Sequence, residues 1–320
     1  MDKNILSIKD LNVNLMTVGG IVYAVQGVNI DVKDGEILGI VGESGCGKSM
    51  NIKSIMRLHD EKRVEYEGSI EFEGKDIMKM NKKELRNLRG KDVAMIFQDP
   101  MVSLNPIMKA GEQIAELIRE KENLSKKQAK QGAIEMLEKV GVLPAAERYE
   151  QYPFEMSGGM MQRVMIAMAM SCNPRLLLAD EPTTALDVTI QAQILDLMKD
   201  LQQKNKTSIM IVTHNLGVVA EICDRVTVMY AGRAVETATV TEIFDNPKHP
   251  YTIALMKRRP KEGQKEMVSI KGAPPGLSAK FTGCAYADRC DYATEKCRTE
   301  IPRNRKINEA HIVACHLCNA

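Results

Sequence analysis

The feature that most constrains this chain is a glycine-rich run that follows an apolar segment. The run reads Gly42-Glu43-Ser44-Gly45-Cys46-Gly47-Lys48-Ser49, the G-x-x-x-x-G-K-S spacing of a loop that wraps nucleotide phosphates. Glycines let the backbone curl with its N–H groups pointing inward, and the helix that follows adds the positive end of its dipole. A glycine-rich surface turn is the alternative. Because Gly35–Val41 reads as a turn and a buried strand, and Ser49–Leu58 as a helix, the context favours nucleotide binding.

Individual roles follow from the chemistry of this loop. Lys48 is expected to reach the β and γ phosphates of ATP or GTP, and Ser49 to bind magnesium. The residues predicted to contact the nucleotide here are Gly42, Ser44, Gly45, Cys46, Gly47, Lys48, Ser49 and Met50.

A second feature is an apolar segment, Leu176–Ala179, that leads to two carboxylates, Asp180 and Glu181. It looks like a Walker B strand. We expect Asp180 to hold the magnesium shell, and Glu181 to orient and polarise the attacking water. Two solvated acids at a strand-to-turn junction are the alternative, which the phosphate loop on the same chain makes less favoured.

A third motif, Ser157-Gly158-Gly159, precedes a run with the pattern of a helix. A serine and glycines at a helix N-terminus predict a second anion site, distinct from the phosphate loop. Here the sequence resembles the ATP-binding-cassette (ABC) superfamily, whose signature is written L-S-G-G-Q; Met156 and Met160 replace its Leu and Gln. The resemblance implies a head-to-tail dimer in which Ser157 and Gly159 of one subunit close over the γ-phosphate held by the other, with Gly158 also counted among the nucleotide-binding positions. An ordinary capped helix is the alternative.

The resemblance also implies roles for four single residues. Tyr23 would stack on adenine, and Gln98 would reach the magnesium and the water. His214 would contact the γ-phosphate, and Asp187 would lie in a loop that crosses the dimer interface. A strand-face aromatic, an exposed glutamine before a turn, a structural histidine and a helix cap are the respective alternatives. The predicted catalytic set is Glu181, His214 and Gln98, with Ser49, Gln98 and Asp180 on magnesium.

The pattern along the chain predicts an α/β fold. Strands dominate residues 1–35, and helices dominate about 100–170, with Glu112–Lys121 and Lys126–Val140 as periodic segments. The later strands are predicted at Leu176–Asp180, Ser208–Thr213 and Arg225–Tyr230, and a helix at Ile190–Gln203. The fold class expected from the resemblance is an ABC-type P-loop nucleotide-binding domain with a β-rich N-terminal subdomain, a helical subdomain and a small Cys-rich C-terminal extension. We place the ATPase domain at 1–257 and the extension at 258–320, joined by a linker within 258–276 that is rich in charge, Pro and Gly.

Net charge and the distribution of apolar residues argue against some classes of function. The chain has 44 Lys and Arg against 42 Asp and Glu, a net charge of +2 that argues against a dedicated nucleic-acid surface. No apolar run approaches the length of a membrane span and no N-terminal signal is visible, so we expect a cytosolic chain.

Two segments narrow the family. Phe97–Pro106 and Asn246–Thr252 closely resemble segments of the ATPase subunits of bacterial oligopeptide, dipeptide and nickel importers. The resemblance implies attachment to the cytoplasmic face of the membrane on two transmembrane permease subunits. It also implies a second ATP-binding subunit, a related chain or a copy of this one, and an extracellular solute-binding protein that supplies the peptide. Import of nickel or another small solute is one alternative, and a non-transport ABC ATPase of DNA repair or translation is another. The latter class would be expected to show two cassettes or a long coiled-coil insertion.

The tail carries a separate signal, the spacing Cys284-x5-Cys290-x6-Cys297-x17-Cys315, with Cys318 close behind. In a cytosolic chain, clustered thiols favour a metal over disulfides, but this spacing does not name the metal. Within the importer family the tail resembles a motif that holds a [4Fe-4S] cluster in some members, which implies Cys284, Cys290, Cys297 and Cys315 as its ligands. Structural Zn²⁺ and free thiols are the alternatives, and Cys318 is either spare or replaces Cys315. Three further thiols are expected to be small packing residues: Cys46, Cys172 and Cys223.

Overall fold

The computed structural model describes residues 3–184, 186–258 and 270–318 of the 320-residue chain. Most of the predicted linker, residues 259–269, therefore lies outside the described residues, as does Ala185 in the predicted interface loop. The chain divides into two compact units. The strand-rich unit comprises Asn4–Val32, Ile37–Met78 and the described residues from Val212 onward; the helix-rich unit comprises Lys33–Glu36 and Lys79–Ile211, with Lys3.

The elements of the described residues follow the predicted order. The strands are β1 Asn4–Thr17, β2 Gly20–Lys33, β3 Ile37–Val41, β4 Val64–Phe72, β5 Lys75–Asp76, β6 Val93–Ile96, β7 Leu176–Asp180, β8 Ser208–Val212, β9 Arg225–Tyr230, β10 Arg233–Thr239, β11 Arg305–Lys306 and β12 Ile312–Val313. The α-helices are α1 Lys48–Ile55, α2 Lys82–Leu88, α3 Pro100–Ser103, α4 Ala110–Glu122, α5 Lys126–Lys139, α6 Ala145–Tyr149, α7 Gly158–Met170, α8 Val188–Asn205, α9 Leu216–Ile222, α10 Val240–Asp245, α11 Pro250–Lys257 and α12 Glu295–Thr299. Short 3-10 turns lie at Ile77–Lys79, Pro153–Glu155 and Ala287–Arg289. The predicted α/β class, β-rich at its N-terminus and helical in its middle, is confirmed.

Two sheets build the strand-rich unit. An antiparallel sheet has the order β2-β1-β4-β5, with Leu6 opposite Phe72. The other strands of this unit run in the order β11-β12-β10-β9-β3, and β3 is parallel to β9. All five residues of β3 are buried, as expected of a parallel strand covered on both faces. The glycine-rich loop follows directly after this strand.

The helix-rich unit contains β6, β7 and most of β8, in the order β8-β7-β6, together with helices α2 to α8. Strands β6 and β7 are parallel, with Val93 opposite Leu176. The predicted helical segments at 112–121 and 126–140 appear as α4 and α5, which pack against each other and against α7. Helix α7 is apolar on most of its surface, which explains its burial among its neighbours. The C-terminal end of β7 and the N-terminal end of α7 are therefore held in place by a packed helical core.

The C-terminal residues share the core of the strand-rich unit. The rings of Tyr230 and Tyr251 lie 4.6 Å apart between centroids, and Tyr286 packs on both, at 5.2 and 5.4 Å. Strand β12 pairs antiparallel with β10, with Val313 opposite Glu236. The Cys-rich region thus lies against β9 and β10, and β9 also pairs with β3, the strand that leads into the glycine-rich loop.

Candidate functional site

The phosphate loop of the strand-rich unit has the predicted strand, loop and helix order. Strand β3 ends at Val41, and α1 begins at Lys48 after Gly47 caps it with a left-handed φ of 96°. A Cβ atom on Gly42 would clash with the carbonyl oxygen of Met229, and one on Gly47 with that of Ala24. Only glycine fits these two positions, so the loop is held tightly against the neighbouring strands.

Lys48 lies inside this loop with 5% of its surface exposed. Its Nζ donates to the carbonyl oxygens of Gly42, at 2.8 Å, and Glu43, at 3.0 Å. Cys46 is buried beside it, with Sγ 3.9 Å from the ammonium, and burial raises the pKa of the Cys46 thiol. The Cys46 side chain is therefore a packing group, as the sequence predicts. Exposed and half-buried positions make up the rest of the predicted set: Ser44, Gly45, Ser49 and Met50.

Tyr23 is half-buried on β2 in the same unit. The ammonium of Lys280 lies 5.4 Å from the centroid of its ring, and the backbone N–H of Tyr23 donates to the Leu277 carbonyl at 2.7 Å. The predicted adenine-stacking residue is thus covered in part by the C-terminal region. No sequence signal indicates this contact.

His214 lies exposed just after β8, in the strand-rich unit. The turn is tied to the phosphate-loop strand because the backbone N–H of Thr213 donates to the Ile40 carbonyl at 3.1 Å. Asn215 then caps α9 by accepting from the N–H of Gly217. The histidine therefore sits on a well-anchored turn at the end of a buried strand.

In the helix-rich unit, the structure brings together two predicted catalytic residues. Oε2 of Glu181 accepts from Nε2 of Gln98 at 3.2 Å and from Oγ1 of Thr184 at 2.9 Å. Asp180, the residue before, is 2% exposed at the end of β7. Glu181 has a left-handed φ of 49°, a conformation that costs a non-glycine residue about 1–3 kcal/mol. The backbone turns sharply at this point, and the side-chain carboxylate is fixed by two donors.

The predicted signature residues lie at the start of α7, also in the helix-rich unit. Ser157 is the N-cap, and its Oγ accepts from the N–H of Met160 at 3.3 Å. Gly158 has open space around it, whereas a Cβ on Gly159 would come within 3.2 Å of Ile190. Asp187 likewise caps α8 by accepting from the N–H of Ile190 at 2.9 Å. The serine and the aspartate therefore cap helices here, and their predicted roles at a dimer interface stay predictions.

Two contacts of the site region escaped sequence reasoning. Gln162 is 2% exposed, and its Nε2 donates to the carbonyl of Pro182, directly after the two acidic residues. Glu43 of the phosphate loop forms an ion pair with Arg289, which is 246 residues away in the chain. The sequence holds one weak signal, a glutamine in the apolar start of α7, and none for the ion pair.

The predicted cysteine ligands are neighbours in the strand-rich unit. Cys297 and Cys315 are buried, Cys284 and Cys290 are half-buried, and the N–H of Cys284 donates to the Cys297 carbonyl at 2.7 Å. Burial raises the pKa of Cys284 to about 11, and the charges of the other three thiols add to that increase. Within 3–184, 186–258 and 270–318, however, no group of three or more His, Cys, Asp or Glu side chains is arranged to hold a metal ion.

The fifth tail cysteine, Cys318, is half-buried beside this group. Burial and the neighbouring Cys315 raise its pKa to about 11, and its Sγ lies 3.7 Å from the Lys248 carbonyl. The structure thus keeps both sequence alternatives for Cys318 open.

Comparison with known proteins identifies the fold and the family. A profile described as ABC transporter matches residues 25–184, and one described as oligopeptide/dipeptide transporter, C-terminal region, matches 235–297. The oligopeptide transport ATP-binding protein OppD of Bacillus subtilis is 51% identical over 97% of this chain and 87% of its own. The dipeptide transport ATP-binding protein DppD of the same species is 45% identical over 98% and 95%.

Solved structures agree with these relatives. The ATP-binding cassette MJ0796, solved as a dimer in a post-hydrolysis state with ADP and phosphate, is 27% identical, with a TM-score of 0.66 over 73% of this chain and 98% of that one. None of the helices in the described parts of the chain is long and apolar enough to cross a membrane. The chain therefore belongs to the ABC transporter family of ATP-binding proteins and carries the C-terminal region of the oligopeptide and dipeptide transporters.

Proposed function

We propose that this chain hydrolyses ATP to power the import of dipeptides or oligopeptides through a membrane transporter. Its relatives along nearly the whole chain are named as oligopeptide or dipeptide transport ATP-binding proteins, and residues 235–297 match the oligopeptide/dipeptide transporter C-terminal region. The same region favours transport over the DNA-repair and translation ATPases considered as an alternative.

The observation that carries the proposal is the environment of Glu181. A buried strand ends at Asp180, the backbone turns through a left-handed residue, and Gln98 and Thr184 hold the Glu181 carboxylate by two hydrogen bonds. A carboxylate that is fixed in this way can accept a proton from water and aim the oxygen at a phosphorus atom. A merely solvated surface acid would not need such positioning.

The proposed mechanism assigns each predicted residue a step. Lys48 binds the β and γ phosphates, while Tyr23 stacks on the adenine. Glu181 orients a water for in-line attack on the γ-phosphorus, and Ser157 of a partner subunit stabilises the charge of the transferred group. His214 contacts the γ-phosphate.

The magnesium ion expected of an ABC ATPase would be held by the side chains of Ser49, Gln98 and Asp180. These side chains offer oxygen donors, which suit this ion, and it would neutralise negative charge on the bound phosphates.

The proposed assembly follows the importer family. Two permease subunits would span the membrane, and this chain would bind their cytoplasmic face together with a second ATP-binding subunit. An extracellular solute-binding protein would deliver the peptide, and no nucleic acid takes part. Within the chain, we propose an ATPase domain at 1–257 and an extension at 258–320.

Replacing Glu181 by Gln tests the catalytic assignment. The amide keeps the shape but cannot take the proton, so we expect kcat for ATP to fall by about 10²–10⁴, with nucleotide affinity retained. ATP should then hold the variant as a dimer in size-exclusion chromatography with light scattering. Glu116→Gln, an exposed site on α4 of the same unit, is the matched control. Hydrolysis by Glu181→Gln at the wild-type rate would show that another group activates the water.

Transport itself is tested in vesicles that contain the chain with its permease subunits. Uptake of a labelled dipeptide or pentapeptide should require ATP and should stop with Glu181→Gln. ATP-dependent uptake of nickel without uptake of peptide would establish the alternative substrate.

For the tail we propose a [4Fe-4S] cluster on Cys284, Cys290, Cys297 and Cys315. Burial and then the charges of Cys297 and Cys315 raise the pKa of Cys284 and that of Cys290, so the four thiols lie close together, and four thiols are the donor set that such a cluster takes. When bound, the cluster would tie the four thiolates into one rigid module. Protein purified without oxygen should contain about four irons and four sulfides per chain and absorb broadly in the visible range. One zinc without sulfide would establish the structural alternative, and the absence of both would leave free thiols.

A further inference from the structure

We propose that Arg289, on the Cys-rich C-terminal region, is a positioning residue for the phosphate loop. It fixes Glu43 and neutralises its charge, so that the affinity for ATP depends on the C-terminal region. This inference rests on the proposed binding of ATP at the loop that contains Lys48. It does not depend on what the tail cysteines bind.

The ion pair between the two residues is nearly buried. The Arg289 side chain is 6% exposed and the Glu43 side chain 14%. One guanidinium nitrogen lies 2.7 Å from Oε2 of Glu43 and the other 3.3 Å from Oε1, a two-pronged contact. Bidentate pairs between arginine and carboxylate are the strong and directional kind. A guanidinium is charged at any ordinary pH, so the contact is an ion pair.

Arg289 is itself held from several sides. Nη1 also lies 3.2 Å from the hydroxyl of Tyr230, Nε donates to the Lys271 carbonyl at 2.8 Å, and Nη2 donates to the Gly272 carbonyl at 3.2 Å. A side chain with this many fixed acceptors has little freedom left to lose when it binds a carboxylate. It therefore holds Glu43 at a defined position.

Glu43 transmits that position to the phosphate-binding lysine. Its carbonyl oxygen accepts from Nζ of Lys48 at 3.0 Å, and its N–H donates to the hydroxyl of Tyr251 at 3.0 Å. The side chain, N–H and carbonyl of one loop residue are thus each bonded. If the side-chain contact is lost, the carbonyl that holds Lys48 loses one of the restraints on its position.

The charge of Glu43 is a second reason why loss of Arg289 would weaken ATP binding. Without Arg289, the Glu43 carboxylate would be a poorly hydrated negative charge in a loop that has to bind polyphosphate. Like charges in a site of low dielectric repel strongly, so unpaired Glu43 would weaken nucleotide binding. Arg258 approaches the same carboxylate only to 4.0 Å and is half exposed, so it replaces Arg289 poorly.

The test compares the affinity of full-length variants for a fluorescent ATP analogue, together with KM and kcat for ATP. For Arg289→Ala we expect Kd and KM to rise about tenfold while kcat changes much less, since the hydrolytic carboxylate is untouched. Arg289→Lys keeps the charge but loses the two-pronged contact, and should lie between wild type and Ala. Arg298→Ala, which removes an exposed ion pair with Asp288 on the same region, is the control and should bind as wild type.

A second variant distinguishes the effect of the unpaired Glu43 charge on ATP binding from an effect on folding. Glu43→Gln removes the charge that Arg289 neutralises, so the double variant Glu43→Gln with Arg289→Ala should bind ATP more tightly than Arg289→Ala alone. If Arg289→Ala fails to fold by circular dichroism, Arg289→Lys still has to show the loss of affinity. Wild-type affinity in either single arginine variant, or a double variant as weak as Arg289→Ala, would overturn the proposal. A wild-type chain that binds no ATP analogue would instead contradict the proposed function and, with it, a role for Arg289 in ATP binding.

Discussion

Substitution of His311 by Ala is expected to loosen the end of the chain from the strand-rich unit. His311 is fully buried; Nε2 lies 2.7 Å from Oε1 of Glu236, and Nδ1 lies 3.2 Å from Oε2 of Glu242. Glu236 is 2% exposed and also accepts the backbone N–H groups of Lys248 and His249, at 2.7 and 2.9 Å. The imidazole is therefore the side-chain partner in a buried network that joins β10 to the turn before β12.

The size of the effect follows from these contacts. Removing one partner of a buried hydrogen bond leaves the other polar group unsatisfied and costs about 1–3 kcal/mol. The Ala variant loses two such contacts, to Glu236 and Glu242, but Glu236 keeps two backbone donors, so we expect a total loss of about 3 kcal/mol in the free energy of unfolding of this unit. For a unit of this size, that loss corresponds to a melting temperature lower by about 6–12 °C.

Two assays measure the loss at different scales. Differential scanning calorimetry reports the melting temperature, and hydrogen exchange reports local opening at Ile312 and Val313, which pair with β10. His316→Ala is the control, since that imidazole makes one contact near the surface, with the Glu300 carbonyl. His311→Gln should restore part of the loss because the amide can still donate to Glu236. A His311→Ala chain that melts within about 1 °C of wild type, with unchanged exchange at β12, would refute the reasoning.

Two further predictions concern the loop and a buried histidine. Gly47→Ala should weaken ATP binding at least about tenfold in a fluorescence titration, because the added Cβ would clash with the Ala24 carbonyl. Gly276→Ala is the control, since a Cβ at that position has room. Equal affinities of the two variants for ATP would contradict the prediction. Burial lowers the pKa of His249 to about 3 in the folded chain. In the unfolded chain the imidazole has its ordinary pKa of about 6.5, so between these two values only the unfolded chain binds the proton. The contribution of His249 to the free energy of unfolding should therefore be complete above about pH 6.5. It should fall as the pH decreases towards 3, by up to about 1.4 kcal/mol per pH unit. His249→Asn keeps a helix cap and should flatten this dependence in pH-dependent melting curves, whereas equal slopes would refute the assignment.

Several parts of the molecule followed from local sequence alone. The strand, loop and helix around Lys48 appear as predicted because the glycine spacing and the buried apolar run each act over a few residues. The strand Leu176–Asp180 has the bounds that the sequence predicts. Helix α8 begins two residues earlier than the predicted Ile190, since Asp187 caps it. Element type and motif chemistry are local properties, and a short window contains them.

The hydrogen bonds that hold Glu181 were less accessible from sequence. The sequence predicts a role for Gln98 and one for Glu181, but the hydrogen bond between them joins residues 83 positions apart. The third member, Thr184, carried no signal. Its contact arises because the backbone reverses at Glu181, and nothing in the glutamate itself predicts a left-handed φ.

The sequence by itself determined that this chain carries a phosphate loop, two carboxylates at the end of a strand and a tail with clustered thiols. Only the tertiary structure decided that the tail reaches the phosphate loop, through Arg289 and Glu43. The physical reason is that this contact depends on the shared packing of Tyr230, Tyr251 and Tyr286, which come from distant parts of the chain. Periodicity and spacing describe what one segment can form, but a buried core selects which segments meet.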